Sequence, residues 1–433
     1  MRIGRLTAPN KVLLLLCAMY LILYVDRVNI ATAAPLIQAD LHLNNTELGI
    51  AFSAFAYPYA LFQLMGGWIG DSFGARRTLC VAIILVCIAT ALTGMVGGLF
   101  SLFCARIALG FGEGSALPTA THAMSRWMPE TRWGFAQGIT HSSARLGNFI
   151  APPIVAALIA WWSWRQSFFI LAGASLVWMA VWAWYFRDSP REHPSVTEEE
   201  LAALPARVHV YTTSDIPWLR LARRIMPATA VNFCYGWTLW LFLSWIPSFF
   251  VQNYHVDLAR SALYSSGVFL GGVVGDTLGG AASDAILRWT GSLVIARRSV
   301  VIAGFLGGCI FLTPVILVHD LLISAVCLSL AFFFAELIVA PIWAVTMDIA
   351  PRHAGSASGM MNFGSAFAGI VSPVFFGYMI DLTGTWTIPF AASIALLLTG
   401  AGLTFLLRPD QPFAEADSGT LAVQSRTEQA SLI

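Results

Sequence analysis

Charged residues are scarce in this chain. They make up 11% of its 433 residues, against about a quarter in an ordinary soluble domain, while 58% of the residues are hydrophobic. Apolar runs long enough to cross a bilayer recur along nearly the whole length. The composition therefore excludes a soluble globular fold and predicts a protein that crosses a membrane many times. The net charge of +1 gives no indication of nucleic-acid binding.

The signatures of enzymes and metal proteins are also missing. The sequence has no glycine-rich nucleotide loop and no nucleophile constellation. Its seven cysteines lack the spacing of metal ligands and fall in apolar segments, where we expect small buried residues. The first apolar segment is too long for a secretory signal peptide and has no small-residue exit. We predict no enzymatic activity, no cofactor and no metal.

The apolar runs divide into twelve predicted spans, which defines an all-α membrane protein. Glycine and proline inside the spans are compatible with this assignment, because membrane helices tolerate both residues. The spans are 12–34, 47–70, 78–97, 100–124, 133–159, 166–186, 223–251, 260–283, 297–318, 320–347, 355–381 and 386–407.

Arginine and lysine fall almost entirely in the loops on one side of these spans. The loops on the other side carry only Arg165 and Arg260. Because cytoplasmic loops are enriched in positive charge, both termini and the middle loop are predicted to be cytoplasmic. The polar tail 409–433 lacks hydrophobic periodicity and is predicted to be disordered.

Two halves of the chain repeat each other. Glu113 and Pro118 in span four recur as Glu336 and Pro341 in span ten, and Ala136-Gln-Gly recurs as Ala357-Ser-Gly. A duplication predicts two pseudo-symmetric six-helix bundles with a substrate site between them near the midplane. We assign residues 1–186 and 223–408 to the bundles and residues 187–222 to a linker.

Span four carries two charges that are costly in a bilayer. Arg106 and Glu113 stand seven positions apart, which puts them on one helix face about 10 Å apart along the axis. Each charge costs roughly 2.5–3.5 kcal/mol on insertion scales, so it must face water, a partner or a substrate. The favoured interpretation is a polar cavity with an anion-binding arginine and a protonatable carboxylate. The alternative is a structural ion pair.

Span one contains an adjacent acid and base, Asp26 and Arg27. Neighbours on a helix point about 100° apart, so one can line a cavity while the other meets a neighbouring helix. The alternative is that both lie near the interface and extend to water. Span five adds His141 and Arg145 on one face. Whether Arg145 faces the cavity or pairs within the first bundle stays open, and His141 is more typical of a packing residue.

The second half offers further polar side chains inside the spans. Asp276 lies on a stripe with Gly280 and Asp284 that matches Gln63, Gly67 and Asp71, so a structural role is favoured for Asp276. Glu336 fits equally a second protonation site or an ordinary buried acid. The candidate ligand contacts in this half are Asn232, Tyr235, Trp343 and Asn362.

The pattern of spans, the duplication and one loop resemble the major facilitator superfamily. The loop after span two carries Gly67, Asp71, Gly74, Arg76 and Arg77, which we assign as a gating loop, although Ser72 and Ala75 stand where that family has basic residues. Within the superfamily, Tyr24-Val-Asp-Arg-Val-Asn29 and the span-four pair resemble the anion:cation symporters.

The resemblance implies roles for individual side chains. Arg27 corresponds to the arginine at the substrate carboxylate, Asp26 and Glu113 to the protonatable carboxylates, and Arg106 to the arginine that pairs with them. Tyr24, Tyr59 and Asn362 fall at polar substrate contacts. A span-five glutamine of the sugar-acid members appears here as serine, near Ser142, which argues against polyol recognition.

The sequence thus predicts a secondary transporter that imports an organic anion, such as a sugar acid or an aromatic acid, with protons. We expect it to be a multi-pass, monomeric protein of the inner cell membrane. An exporter or proton antiporter of the same superfamily is the alternative, and a non-transporting membrane sensor ranks last because no soluble domain is appended.

Overall fold

The computed structural model describes residues 7–129, 132–204, 217–350 and 353–413, without the side chains of 64–68, 70–72, 133–134 and 354. The predicted tail therefore lies largely outside the described residues. The helices are α1 (Ala8–Leu41), α2 (Asn45–Ala54), α3 (Ala56–Phe73), α4 (Ala75–Thr93), α5 (Leu99–Trp127), α6 (Trp133–Trp161), α7 (Trp164–Tyr185), α8 (Glu198–Ala203), α9 (Trp218–Tyr254), α10 (Leu258–Thr290), α11 (Leu293–Leu317), α12 (Leu321–Glu336), α13 (Val339–Ile349), α14 (Ala354–Thr383) and α15 (Thr387–Leu403), with 3₁₀ turns at Pro190–Glu192 and Thr404–Leu406.

These elements form the twelve predicted spans, with α2–α3 and α12–α13 as two broken helices. In the part of the chain that is described, nine segments are long and apolar enough by themselves to cross a membrane. The other three spans are α2–α3, α5 and α10, which are rich in glycine or carry internal charge. The short helix α8 begins at a capping box, where Thr197 accepts from the N–H of Glu200 and the Glu200 carboxylate accepts from the N–H of Thr197.

Both helix breaks have the same local cause. Proline has no N–H, so Pro58 and Pro341 cannot donate to the carbonyls of Ala54 and Leu337, four residues earlier. Helix α2 ends at Ala54, and α12 ends at Glu336, immediately before Leu337. Each break falls beside a buried side chain that contacts or carries a charge: Phe55, next to Arg27 and Arg106, in the first case and Glu336 in the second.

The two halves pack in the same way. In the first half α1 contacts α6 and α7, while α5 contacts α3 and α4, and α4 contacts α7. In the second half the equivalent contacts are α9 with α14 and α15, α12 with α10 and α11, and α11 with α15. The predicted fold of two pseudo-symmetric six-helix bundles is confirmed. The exact domain boundaries remain a prediction.

The bundles meet along α1–α9, α6–α10 and α2–α3 with α14. Both ends of the described chain lie on one face, here called the terminal face, where the Arg224 guanidinium donates to the carbonyl of Arg408 at 2.7 Å. The face at the other end of α1 is called the opposite face. There Asp381 of α14 accepts from the backbone N–H groups of Asn45 and Thr46 at 3.1 and 2.7 Å, and so joins the bundles.

Large apolar side chains cover the outside of the bundles. Trp161, Trp184 and Trp289 lie near the ends of α6, α7 and α10 and are 75%, 75% and 88% exposed. Tryptophan concentrates where a bilayer meets water, because its ring is apolar and its N–H is polar. The exterior is therefore that of a multi-pass membrane protein.

Candidate functional site

Adjacent positions on α1 send Asp26 and Arg27 to different neighbours, as helix geometry predicts. Asp26 points to α4, where its carboxylate accepts a hydrogen bond from the Thr90 hydroxyl at 2.6 Å. Arg27 points to α5 and the space between the bundles. Both side chains are buried, at 2% and 7% exposed. The alternative that both extend to the interface is wrong, because neither reaches water.

Arg27 forms an ion pair with Glu113 of α5. Its Nη2 and Nε lie 2.5 and 3.1 Å from Oε2 of the carboxylate, which is 1% exposed. The other oxygen, Glu113 Oε1, has no hydrogen-bond partner among the described residues. A charge-assisted pair of this kind keeps both charges in an apolar interior, and it leaves one carboxylate oxygen open to a proton.

An aromatic cage holds the Arg27 guanidinium. Its central carbon lies 4.6, 5.1 and 4.8 Å from the ring centres of Tyr24, Phe55 and Tyr59. Aromatic faces attract cations, and such contacts are strongest where water is absent. The predicted residues Tyr24 and Tyr59 therefore come together with Arg27, and the helix break adds Phe55, which the sequence did not single out.

Gly110 of α5 makes this approach feasible. A Cβ atom at this position would lie 2.3 Å from the carbonyl oxygen of Phe55. Only glycine lets α5 come this close to the α2–α3 break. Gly110, which lies between Arg106 and Glu113 along α5, thus makes room for the backbone that carries Phe55.

Arg106 is buried without a carboxylate partner. It is 3% exposed, and its guanidinium carbon lies 5.1 Å from the Phe55 ring. Within the described residues no carboxylate lies within ion-pair distance of Arg106, and its Nε has no hydrogen-bond partner. The predicted alternative of a structural Arg106–Glu113 ion pair does not form. Burying a free charge is unfavourable, so the side chain is suited to receive an anion.

Arg27 and Arg106 line one small cavity between the bundles. Trp240 and Ser244 of α9 contribute from the second bundle, but the Trp240 indole already donates to the carbonyl of Ser365 at 3.0 Å. The wall therefore offers the Arg106 guanidinium and the Ser244 hydroxyl as free polar groups, while the Arg27 guanidinium is held by Glu113. The remaining lining residues are Ile30, Ala31, Phe52 and Leu243.

A second charged cluster joins the bundles. Arg145 of α6 pairs with Asp276 of α10 at 3.2 Å and with Glu336 of α12 at 2.8 Å. The Tyr235 hydroxyl of α9 donates to the other oxygen of Glu336 at 3.0 Å. Arg145 therefore does not pair within the first bundle, because both of its partners belong to the second bundle. It also does not line the cavity of Arg27 and Arg106. Asp276 does more than pack between helices, because it forms one of the two ion pairs of Arg145.

The remaining predicted contacts of the second half have protein partners or lie apart. Asn232 donates to the carbonyl of Met361 at 3.1 Å, which is a contact within the second bundle. Asn362 donates to the side-chain oxygen of Gln63 at 2.5 Å, which bridges α14 and α3. Trp343 in α13 is 37% exposed. None of these three side chains lines the cavity of Arg27 and Arg106.

The described residues of the predicted gating loop contact the end of α7 and the segment that follows it. Gly74 has a left-handed φ of 80°, and a Cβ there would lie 2.9 Å from the Asp188 carboxyl group. The Arg76 backbone N–H donates to Asp188 at 2.9 Å, and its guanidinium donates to the carbonyl of Ala183 at the end of α7. Arg77 is exposed. The side chains of Gly67 and Asp71 lie outside the described residues.

Sequence reasoning missed the groups that close the opposite face. Gln252 of α9 donates to Gln38 of α1 at 3.2 Å and to Asn45 at 3.1 Å. Asp381 caps α2 from the other bundle, and Asn44 and Glu47 form a capping box there. The capping box alone marks the start of α2 in the sequence; its cross-bundle partner is not visible there.

Comparison with known proteins places these observations in a family. Residues 16–373 match the model of the Major Facilitator Superfamily. The probable sulfoacetate transporter SauU of Cupriavidus necator is 45% identical over 408 residues, which are 94% of this chain and 95% of that protein. The hexuronate transporter of Bacillus subtilis is 29% identical over 92% of this chain and 94% of its own length.

A solved structure supports the same fold. A bacterial homolog to the human lysosomal transporter Spinster, crystallised inward-facing and unoccupied, superposes with a TM-score of 0.75 and 16% identity, covering 95% of this chain and 100% of that one. The resemblance inferred from the motifs is confirmed. The chain belongs to the Major Facilitator Superfamily and is a membrane transporter of the organic-anion type, not an enzyme.

Proposed function

We propose that this protein imports a small organic anion together with protons by alternating access. The observation that carries the proposal is the buried, unpaired Arg106 beside Arg27 in one cavity between the bundles. The fork of each guanidinium matches the two oxygens of a carboxylate or the oxygens of a sulfonate. A binding site between two pseudo-symmetric bundles is suited to opening on either face.

The cavity wall favours a compact, multiply charged anion over a polyol. Its polar groups are the unpaired Arg106 guanidinium, the Arg27 guanidinium held by Glu113, and the Ser244 hydroxyl. A hexonate or hexuronate needs several hydrogen-bond partners for its hydroxyls, and an unmet partner costs affinity. Sulfoacetate, which the 45% identical relative is named for, carries a sulfonate and a carboxylate and no hydroxyl. We propose it as the first substrate to test.

Protons would enter through Glu113 and Asp26. A proton on Glu113 removes the charge that now holds Arg27, so Arg27 becomes available to the anion together with Arg106. The site then carries an added anion and an added proton, which lowers the cost of moving it through an apolar interior. Tyr24 and Tyr59 keep Arg27 in place during this exchange of partners.

The two bundles assigned from the sequence, 1–186 and 223–408, would be the moving bodies, with 187–222 as the tether. The terminal face holds most of the arginines, so we propose that it is cytoplasmic and that the protein resides in the inner membrane as a monomer. A superfamily exporter or proton antiporter remains the alternative function.

Uptake in energised vesicles tests the proposal. The panel is labelled sulfoacetate, a short hydroxy-dicarboxylate, a hexonate, a hexuronate and an aromatic acid, with external pH stepped and a protonophore added. We expect accumulation of sulfoacetate that collapses with the protonophore. Extrusion, or flux that ignores the proton gradient, would overturn proton-coupled import.

A pair of variants separates the site from general effects of charge. Arg106→Gln removes the cavity guanidinium and should abolish uptake. Arg260→Gln removes a guanidinium that is 72% exposed at the opposite face, and uptake should match that of the wild type. Equal loss in both variants would show that bulk surface charge, rather than the cavity, drives transport.

A further inference from the structure

The cluster of Arg145, Asp276 and Glu336 contains one more negative than positive group. One guanidinium faces two carboxylates at 3.2 and 2.8 Å, and these side chains are 15%, 20% and 0% exposed. The interior of the first bundle differs, because it holds equal numbers of buried guanidiniums, Arg27 and Arg106, and buried carboxylates, Asp26 and Glu113. An unbalanced charge in a membrane interior is costly, and a bound proton removes it.

We propose that Glu336 carries a proton of the transport cycle, separate from those on the carboxylates of the first bundle. Of the two carboxylates, Glu336 is the one without exposure, so its charge is the more costly of the two. It is the duplicate of Glu113 in the second bundle. The proposal rests on the proposed function, because it assigns one further proton to that transport.

Among the described residues, the charged and titratable groups around Glu336 come from α1, α6, α9 and α10. Tyr235 reaches Glu336 from α9 and Asp276 faces the cluster from α10, while Arg145 comes from α6. His141 lies one turn before Arg145 and contacts the Tyr20 ring of α1 at 5.8 Å. Tyr24 of α1 completes the set through its electrostatic interaction with Arg145.

The cluster couples its proton to the movement of the bundles. Arg145 belongs to the first bundle, and Asp276, Glu336 and Tyr235 belong to the second. Relative movement of the bundles at α6–α10 separates Arg145 from both carboxylates and admits water to them. Hydration lowers the cost of the Glu336 charge, and its proton then leaves to that aqueous side. The proton that entered from one face is released to the other.

The position equivalent to Asp276 in the first bundle carries a neutral side chain. Gln63 is the duplicate of Asp276 in the first bundle, and it bonds to Asn362 of α14 at 2.5 Å. This pair joins α3 to α14 just as Asp276 joins α10 to Arg145 of α6. Two amides cannot exchange protons at working pH. The duplication has therefore produced one neutral and one ionisable bridge between the bundles.

The test is proton-driven accumulation of labelled sulfoacetate in proteoliposomes, with the membrane potential clamped at zero and a pH gradient imposed. Loss of one coupled proton lowers the limiting accumulation ratio about tenfold for each pH unit of the gradient. We expect this loss in Glu336→Gln, while counterflow exchange without a gradient stays at the wild-type rate. Wild-type accumulation by Glu336→Gln with intact counterflow would overturn the proposal.

Asp276→Asn gives a second, independent measurement. It balances the charge of the cluster, so Glu336 then remains ionised beside Arg145 and binds no proton. The same tenfold loss is expected in Asp276→Asn, and the double variant should lose one proton and not two. If the accumulation ratio of the double variant falls about a hundredfold for each pH unit, two protons have been lost, and the cluster does not bind a single proton as its charges predict. If Glu336→Gln fails to fold, Asp276→Asn decides the question alone.

Two outcomes separate proton coupling in general from a proton on Glu336 in particular. If the wild type exchanges sulfoacetate but does not accumulate it with a pH gradient, proton coupling itself is wrong. If the wild type accumulates and only Glu113→Gln abolishes accumulation, coupling is right and Glu336 carries no proton. Infrared difference spectra between low and high pH provide a direct check. The wild type should show the carbonyl band of a protonated carboxylic acid, and this band should be missing from Glu336→Gln.

Discussion

Glu113 takes its ion-pair partner from α1 and not from its own helix: Oε2 lies 2.5 Å from Nη2 of Arg27. Arg106, two turns away on the same face of α5, has no carboxylate partner among the described residues. Two turns separate the Cα atoms by about 10 Å, too far for direct pairing along the axis. Arg106 is therefore the cation that we propose binds the anion.

The two cavity arginines should therefore respond differently to neutralisation. Arg27→Gln leaves Glu113 buried without its partner, which costs roughly 3–5 kcal/mol of stability and should lower the melting temperature. Arg106→Gln removes an unpaired buried charge, so the melting temperature should be unchanged or higher while sulfoacetate binding is lost. Thermal unfolding in detergent and ligand binding by calorimetry measure both effects. Equal destabilisation by the two variants would contradict the distinct roles.

Glu113→Gln should uncouple transport from the proton gradient. The amide keeps the size of the side chain but neither binds nor releases a proton, and it leaves Arg27 permanently available to the anion. We expect counterflow of labelled substrate to persist while proton-driven accumulation disappears. Vesicle uptake with and without an imposed pH gradient measures both activities. Full wild-type accumulation by Glu113→Gln would refute a role for this carboxylate in coupling.

The close contact of α14 with α2 should control opening at the opposite face. A Cβ at Gly377 would lie 2.1 Å from the carbonyl oxygen of Asn45 in the other bundle, so Gly377→Ala requires the helices to separate there. Gly267→Ala in α10 is the matched control, because nothing lies within 4 Å of its added Cβ. We expect Gly377→Ala to speed labelling of a cysteine placed at Ile30 by a reagent on the opposite face. Equal labelling of the two variants would argue against this contact as a gate.

The cap on α2 should contribute to the same closure. Asp381 accepts from the backbone N–H groups of Asn45 and Thr46 at 3.1 and 2.7 Å and from both of their side chains at 2.8 and 2.6 Å. Asp381→Ala removes all four bonds, and a loss of about 1–2 kcal/mol raises the open population about five- to thirtyfold. Distances between spin labels on α2 and α14 measure the populations.

The matched control removes another aspartate at the opposite face that makes no bond between the bundles. Asp257→Ala breaks an exposed 3.7 Å pair with Arg260 within α10 and its cap. The spin-label distances should stay as in the wild type. Opening of similar size in both variants would mean that loss of surface charge, and not the bond between bundles, sets the equilibrium.

Composition and periodicity alone determined the fold. Long apolar runs with internal repeats can satisfy their backbone hydrogen bonds in a bilayer only as helices, and the repeat of Glu113 as Glu336 places them in two equivalent bundles. The pattern also indicated which charges need a partner or a ligand, because a membrane interior accepts charges such as Arg27, Arg106 and Arg145 only when something compensates them.

Only the tertiary structure decided which charges meet. Helix periodicity gives the face on which Arg145 lies, but the partner on that face depends on how the bundles pack, and the structure supplies Asp276 and Glu336 from the other half. The same holds for Asp381 and the start of α2, because Asp381 and Thr46 lie 335 positions apart along the chain. The type of each residue determines how unfavourable it is to bury its charge in a membrane. Which opposite charge compensates it depends on long-range contacts that no local pattern encodes.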